Sequence, residues 1–454
     1  MTKKLLSRGF LTRKLKSVVV TLFAILVVSL CATSTEFRAN AADSGDDWPM
    51  FHHDAAHTGY TNCTGPTTTP VVLWSAETYG PVHSSPAIVD GVVYVSAWFL
   101  HAFNASTGSE IWNVLGGDLA SPIVIDGYVY TGNNGSTVYN ASTGDKIWST
   151  RWRSYNFYTP YLAVEGNYVY TGATTVEGEH VMRALNASTG SEMWRYKTEP
   201  DSSPAVYGGY IYFGTFNMSS TGRSGSVCAL NAHTGAKLWE HRLESRVESS
   251  PAVSDGVVYV GSSFANFYAL DALTGNEIWS YPIMARSSPA VVDGRVFVGS
   301  LDYNVYALNA STGAKIWNYT TGYVVDSSPA VAGGVVYIGS GDGNLYALNA
   351  SSGAKLWNYT IQPFLDEHGL DRYMFASPAV ANGTIYMGSG DGIVFALGAM
   401  PNPTPSPSTP LSDLHLIVIV AVVVIVTLAV LFLVYRIRRK GAKNSPRNMS
   451  PPQP

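Results

Sequence analysis

Four residues near the N-terminus, His52, His53, Asp54 and His57, carry side chains that can ligate a metal ion. Imidazole and carboxylate groups at such short spacing are typical of transition-metal sites. Packing within the segment that leads into the main domain is the other interpretation. The sequence leaves both open and assigns no metal ligand.

A second set of residues, in two long stretches without regular patterning, has the chemistry of a recognition surface. One stretch holds the densest charged cluster of the central region, and the other is rich in aromatic side chains. Variable loops with such side chains are typical of binding faces, although a solvated loop is the alternative. The predicted recognition residues are Trp152, Tyr155, Tyr158, Asp366, His368, Asp371 and Arg372.

The elements that must position these residues are visible as a repeat of about 40 residues. Each unit opens with Ser-Pro-Ala-Val or a variant, continues through an Asp-Gly turn, a strand ending in Ala-Leu-Asn and a Thr-Gly turn, and ends in a tryptophan. The tryptophans are Trp74, Trp112, Trp148, Trp194, Trp239, Trp279, Trp317 and Trp357. Four strand-like phrases per unit predict the blades of a β-propeller, and the large rings fill the wedge between neighbouring sheets.

The two ends of the repeat predict how the ring closes. The last unit, Ala376–Ala399, has three strand phrases and no tryptophan, whereas Val71–Trp74 is a fourth strand without a unit. Pairing them gives eight complete blades over residues 71–399 and leaves no open edge. We therefore predict an all-β, eight-bladed propeller, with seven blades as the alternative, preceded by a lead-in segment at residues 42–70.

The connections differ between the two faces of this propeller. We call lower the face with the Asp-Gly and Thr-Gly turns, and upper the face with the connections between the second and third strands and between blades. The longer connections, such as Ser149–Tyr158 and Asn358–Phe375, fall on the upper face. Insertions gathered on one face of a repeat protein usually mark its binding face, so we predict that partners meet the upper face.

Both termini have membrane-related patterns. Residues 1–41 combine basic residues, an apolar run and Ala39-Asn40-Ala41, which predicts a signal peptide, with an uncleaved anchor as the alternative. Residues 414–435 predict a transmembrane helix after a Pro/Ser/Thr-rich linker at 400–413. The basic tail at 436–454 predicts a cytoplasmic C-terminus. The propeller should thus be extracytoplasmic and anchored by a single helix.

Charge excludes one class of partner. The chain has 28 basic and 32 acidic residues, and the region between the two basic ends keeps 15 of the former and 31 of the latter. An acidic domain of this kind repels phosphate backbones, so no nucleic-acid partner is expected.

Two kinds of modification are open in an exported domain. Cys63 and Cys228 could form a disulfide, but a buried thiol at Cys228 is the favoured interpretation, because Cys228 replaces a core tyrosine of the repeat. Among many Asn-x-Ser/Thr sequons, Asn318 and Asn358 are the predicted glycosylation sites, since they follow a tryptophan instead of occupying a turn.

The repeat also resembles a known family. Ala269–Trp279 reads A-x-D-x-x-T-G-x-x-x-W, which is similar to the tryptophan-docking motif of quinoprotein-type propellers, and the likeness extends over about residues 74–399. Trp48–Asp54 also resembles the segment before blade one in such proteins, which favours packing for its histidines. This class contains pyrroloquinoline-quinone alcohol dehydrogenases and a non-enzymatic outer-membrane assembly lipoprotein.

The resemblance implies what an enzyme of this class would need. Such dehydrogenases are similar in holding calcium with Glu, Asn and Asp side chains and in using a catalytic Asp, often with two adjacent cysteines. This chain has no adjacent cysteines and no long insertions, and only Trp98 or Trp152 could stack on a quinone. No catalytic, cofactor or metal residue is assigned. We therefore expect a non-catalytic binding or scaffold module in the cell envelope, with a protein or glycan partner. A quinone-dependent dehydrogenase with calcium and a structural envelope glycoprotein are the alternatives.

Overall fold

The computed structural model describes residues 47–116, 120–132, 135–150, 162–175, 178–219, 222–361 and 376–399, together with Phe432 and Arg436. A boundary between two compact units follows Ala399. The predicted signal peptide lies outside the described residues, as does the predicted transmembrane helix apart from Phe432. None of the helical residues that the structure describes belongs to a helix long and apolar enough to cross a bilayer.

The described part of residues 47–399 folds into eight sheets, each built around an antiparallel blade, which confirms the prediction of an eight-bladed propeller. Two strands, β1 (Tyr60–Thr61) and β2 (Val71–Glu77), precede the first complete blade. Blade 1 contains β3 (Ala87–Val89), β4 (Val92–Ser96), β5 (Phe99–Asn104) and β6 (Glu110–Leu115), and blade 2 contains β7 (Ile123–Ile125), β8 (Tyr128–Gly132), β9 (Ser136–Asn140) and β10 (Lys146–Ser149). Blade 3 contains β11 (Leu162–Glu165), β12 (Tyr168–Thr174), β13 (His180–Asn186) and β14 (Glu192–Lys197). Blade 4 contains β15 (Ala205–Tyr207), β16 (Tyr210–Gly214), β17 (Asn217–Ser219), β18 (Gly222–Asn231) and β19 (Lys237–Leu243).

Blades 5 to 8 follow the same plan, from a short inner strand to an outer strand. Blade 5 contains β20 (Ala252–Ser254), β21 (Val257–Gly261), β22 (Phe267–Asp271) and β23 (Glu277–Tyr281), and blade 6 contains β24 (Ala290–Val292), β25 (Arg295–Gly299), β26 (Asn304–Asn309) and β27 (Lys315–Thr320). Blade 7 contains β28 (Ala330–Ala332), β29 (Val335–Gly339), β30 (Asn344–Asn349) and β31 (Lys355–Thr360). Blade 8 contains β32 (Ala379–Ala381), β33 (Thr384–Gly388) and β34 (Ile393–Gly398). The inner strands of neighbouring blades contact one another around the axis.

The eighth blade is built from both ends of the domain. Strand β2 pairs antiparallel with β34, so that Val71 lies opposite Gly398 and Glu77 opposite Ile393. The sheet order is β2-β34-β33-β32. The N-terminal strand therefore covers the edge that β34 would otherwise expose.

Local sequence explains the tight turns of the lower face. Asp90 and Gly91 have φ values of 50° and 73°, and Asp293 and Gly294 have 50° and 68°. Two successive residues with positive φ make the type I′ turn that matches the twist of a hairpin, which Asp-Gly adopts readily. In the second kind of lower turn, Asn309 Oδ1 accepts hydrogen bonds from the backbone N–H groups of Ser311 and Thr312. These short turns fix the strands without insertions.

The core lies in the wedges between neighbouring blades. Each tryptophan indole donates from Nε1 to a carbonyl in the lower turn of the following blade, as Trp317 does to Ala350 at 3.0 Å. The ring lies on the glycine of that turn, where a Cβ on Gly353 would come within 2.7 Å of the indole. Trp357 differs, because it donates to Pro66 of the lead-in segment at 3.0 Å. Pro66 thus occupies the place of the turn that the eighth blade lacks.

Candidate functional site

A cavity of about 190 Å³ lies on the propeller axis, where the upper ends of the inner strands converge. Its wall is formed by the serine that precedes the proline at the start of seven blades. We call these residues the serine ring; they are Ser85, Ser121, Ser203, Ser250, Ser288, Ser328 and Ser377. Blade 3 has Thr159 at this position, which lies outside the described residues.

Hydrogen bonds run around the serine ring from blade to blade. The backbone N–H of Ser250 donates to Ser288 Oγ at 2.9 Å, and the N–H of Ser288 donates to Ser328 Oγ at 2.9 Å. The same bond joins Ser328 to Ser377 at 2.9 Å, and Ser377 to Ser85 at 3.3 Å. The ring therefore links the last blade to the first and gives the cavity a rigid polar wall.

The floor of the cavity is the lead-in segment, which follows a path around the inside of the ring. Trp48 exchanges two backbone hydrogen bonds of 2.8 Å with Ile88 of blade 1. The carbonyls of Pro49, Ala55, Ala56, Thr58 and Gly59 then accept N–H bonds from the inner strands of blades 2, 4, 5, 6 and 7. Strand β1 continues this path by pairing parallel with β28. Met50, Phe51 and His57 face the cavity from this segment.

The rim of the cavity carries a network of charged side chains from blades 4 to 7. Arg246 binds Asp201 in a bidentate pair at 2.8 and 2.9 Å and also contacts Glu248 Oε1 at 3.1 Å. Arg286 Nε lies 3.1 Å from Glu248 Oε2, and Ser263 donates to the same oxygen at 2.6 Å. Both guanidinium groups are therefore held by acidic partners. Such paired geometry is typical of charges that are partly removed from water.

Asp326 is a rim carboxylate with an oxygen atom that receives no hydrogen bond from this network. Its Oδ1 atom is buried and has no hydrogen-bond partner among the described residues. Burial raises the pKa of Asp326, an effect that the nearby Arg286 opposes and Glu248 reinforces. This carboxyl therefore retains an unused acceptor at the cavity.

Two of the three lead-in histidines, His52 and His57, are core residues in this structure, whereas His53 is partly exposed. His52 and His57 are each 2% exposed, and His57 Nδ1 lies 3.1 Å from the Pro251 carbonyl oxygen. Asp54 accepts from the backbone N–H of Thr58 at 3.0 Å, so it serves the turn of the segment. No group of three or more His, Cys, Asp or Glu side chains in the described part of the chain is arranged to hold a metal ion.

Burial of these histidines predicts acid sensitivity. It lowers the pKa of His52 to about 3 and that of His57 to about 4. In the unfolded chain both titrate near pH 6.5, so the unfolded state binds protons that the folded state excludes. Their contribution to stability is present above about pH 6.5 and is lost progressively as the pH falls from there toward the folded-state pKa values. Thermal melts of the full-length chain between pH 7 and pH 5 should show this loss.

A matched pair of variants tests the source of that slope. His57→Gln should flatten the dependence of melting temperature on pH, whereas His233→Gln, at an exposed lower turn, should leave it unchanged. Equal slopes in all three proteins would contradict a role for the buried imidazoles.

The described lining does not fit a pyrroloquinoline quinone. That cofactor is flat and carries several carboxylates, so it needs an aromatic or disulfide platform and cationic partners. No tryptophan occurs among the described residues that line the cavity, where the lining carboxylates are Glu248 and Asp326. The guanidinium groups of Arg246 and Arg286 on the rim are already paired with acidic side chains. Trp98 is 66% exposed and lies against Gly80, outside the cavity. Cys63 and Cys228 are buried thiols in separate core clusters, not a disulfide.

The structure describes only some of the residues that the sequence analysis selected. Asn318 and Asn358 are exposed on outer strands, where their amide groups donate to Asn304 at 3.0 Å and Asn344 at 3.2 Å. The predicted recognition residues Trp152, Tyr155, Tyr158, Asp366, His368, Asp371 and Arg372 all lie outside the described residues. Neither the serine ring nor the charged rim was predicted from the sequence. Their signal was nevertheless present, because the residue two positions before each ring serine is Asp201, Glu248, Arg286 or Asp326 in four successive blades.

Comparison with known proteins agrees with this architecture. A model of the family described as outer membrane protein assembly factor BamB matches residues 99–223 and 223–427. The chain belongs to this family. A BamB of Nitrosomonas eutropha is 34% identical over 99 residues, which cover 21% of this chain and 22% of that protein. The match thus spans about a fifth of the curated relative's length.

Solved structures with the same fold include both a BamB protein and a dehydrogenase. BamB from Moraxella catarrhalis superposes with a TM-score of 0.59 at 18% identity, covering 74% of this chain and 99% of that one. Quinohemoprotein alcohol dehydrogenase from Comamonas testosteroni gives a TM-score of 0.66 at 17% identity, covering 81% and 83%. At such identities the likeness shows the fold alone. The BamB family and the dehydrogenases therefore have to be separated by the chemistry of the axis.

Proposed function

We propose that this chain is a membrane-anchored propeller that acts as a non-catalytic binding or scaffold module of the cell envelope. The proposal rests on the residues that fill and line the propeller axis. The lead-in segment fills its lower part, and the remaining cavity is walled by serines, with no indole or adjacent cysteines among its described lining residues. A rigid ring whose channel is filled in this way can present a stable binding surface, and it offers few groups that would support redox chemistry.

The anchoring part of the proposal is supported by the sequence patterns at both ends. Residues 1–41 would direct export, and residues 414–435 would span the membrane, with the C-terminus in the cytoplasm. The Pro-rich linker at 400–413 follows β34, whose last residue, Gly398, pairs with Val71 of the N-terminal strand. Proline-rich linkers act as semi-rigid spacers, and residues 400–413 would serve as such a spacer.

The partner is proposed to be an envelope protein or glycan that meets the upper face. Membership of the BamB family supports a protein partner, because its members are described as outer membrane protein assembly factors. The predicted recognition residues of the two long upper connections would contribute the contacts. Glycans at Asn318 and Asn358 would lie on outer strands and would leave the upper face open.

The proposal is tested on intact cells that express the full-length chain. Protease added outside should release a propeller-sized fragment and leave the tail protected. Purified protein incubated with pyrroloquinoline quinone and calcium should show no bound quinone absorbance and no alcohol-dependent dye reduction. A quinone spectrum with turnover would instead establish the dehydrogenase, and protection of the propeller from protease would contradict the topology.

A second arm locates the binding face once a partner is captured. Alanines at Asp366, His368 and Arg372 should weaken binding, whereas alanines at Asp255 and Asp293, in lower-face turns, should not. The reverse result would place the partner on the lower face.

A further inference from the structure

The serine ring holds hydrogen-bond donors that the protein does not use. The hydroxyl oxygens of Ser121, Ser288, Ser328 and Ser377 each accept an N–H from the preceding blade at 2.9 Å. Within the described residues, none of these hydroxyl groups donates to an acceptor of its own. Ser288 is 4% exposed and Ser328 5% exposed, so bulk water does not satisfy them freely. A buried hydroxyl without an acceptor costs free energy, so the cavity favours an occupant with acceptor atoms.

The same cavity also has an unused acceptor on its rim. Asp326 Oδ1 is buried and without a partner in the described part of the chain, and Asp326 lines the cavity together with Glu248. The carboxylate of Glu248 is already occupied by two arginines and Ser263. An occupant must therefore accept hydrogen bonds from the wall and donate at least one to Asp326.

This combination excludes simple ions and favours hydroxyl groups. An anion would satisfy the serines but would meet the unpaired carboxylate of Asp326, and a bare cation would satisfy Asp326 but leave the serine donors unused. An alcohol group both donates and accepts, so a ring of alcohols satisfies both sets. The floor and lower wall add Phe51, Met50, Ile123 and Leu162, which suit the C–H face of a sugar ring. The volume of about 190 Å³ far exceeds the ~30 Å³ of one water.

We propose that the axial cavity is a binding site for one polyhydroxylated ring, such as a monosaccharide or the end unit of an envelope glycan. Asp326 would accept from a ring hydroxyl, and the serines of blades 6 to 8 would donate to neighbouring oxygens. The inference deepens the proposed binding role by naming a ligand class, and it does not depend on the membrane anchor.

The experiment uses full-length protein in a detergent without a sugar headgroup. N-acetylglucosamine, mannose and myo-inositol are titrated and followed by saturation-transfer NMR. At least one of the three should bind. Asp326→Asn should weaken that binding roughly tenfold or more, because a hydrogen bond to a charged group is lost. Ser288→Ala should weaken it by a smaller factor. Asp293→Asn, the same charge change in a lower turn, should bind as the native protein does.

Several results would overturn the proposal. Failure of all three polyols to bind would mean that the cavity holds water only. Binding that survives unchanged in Asp326→Asn would place the sugar elsewhere. Saturation by inorganic phosphate or methylammonium in place of every polyol would make the site ionic. Protease release from intact cells and the quinone spectrum are independent of these results, so the anchored-scaffold proposal stands or fails separately.

Discussion

Replacing Trp317 by alanine is expected to lower the free energy of unfolding by about 3–5 kcal/mol, the range for emptying a large aromatic site in a core. The indole is 8% exposed, donates to the Ala350 carbonyl and packs on the Gly353 turn of the next blade. Its removal therefore leaves a void between two sheets and an unpaired carbonyl. Chemical denaturation of the full-length protein, monitored by circular dichroism, measures the change.

Trp98 provides the matched control, because it is the same residue in a different place. It is 66% exposed and its ring lies against Gly80. Trp98→Ala should therefore cost clearly less than Trp317→Ala. Similar losses at both positions would show that docking between blades contributes no special stability.

Deleting residues 42–75 is expected to abolish cooperative unfolding and to cause aggregation. The deletion removes most of β2, which covers the β34 edge, and the lead-in segment that is bonded to inner strands around the axis. An exposed β-edge next to an opened channel is a template for association with other chains. Scanning calorimetry and light scattering of the purified variant report both effects.

A rescue experiment distinguishes loss of the ring from a general folding defect. A synthetic peptide of residues 42–75, added during refolding, should restore a cooperative melt because it can pair with β34 in trans. A truncated protein that melts as the intact one does would mean that the N-terminal strand is dispensable for closure.

Much of the fold could be predicted because each blade is specified locally. Asp-Gly turns, alternating strands and a tryptophan recur in one order, and an orphan strand at Val71–Trp74 matches the blade that lacks one. The path of the lead-in segment could not be predicted in this way. The path is set by backbone hydrogen bonds to Val206, Val253 and other inner-strand residues, and such bonds leave little trace in side-chain identity.

The axial site was hidden for a related reason. Ser288 and Ser328 are 40 residues apart and look like ordinary turn residues until the ring brings them to adjacent positions. The significance of Asp326 also depends on its neighbours, because the sequence cannot tell that Glu248 is occupied and Asp326 is not. Closure of the ring brings together residues that are distant in the sequence, and it therefore determines which polar groups find hydrogen-bond partners and which do not.

The two-ended eighth blade has a consequence for biosynthesis. Val71 leaves the ribosome early, yet its partner Gly398 is made almost last. Until then the lead-in strand has no edge to pair with, and the growing chain is an open arc with two unprotected ends. Chains emerge at about 5–20 residues per second, so this vulnerable interval lasts on the order of tens of seconds. Contacts of such sequence separation also form slowly. A nascent chain of this protein would therefore be exposed to proteases and to domain swapping for longer than a propeller whose blades are each made from one continuous stretch.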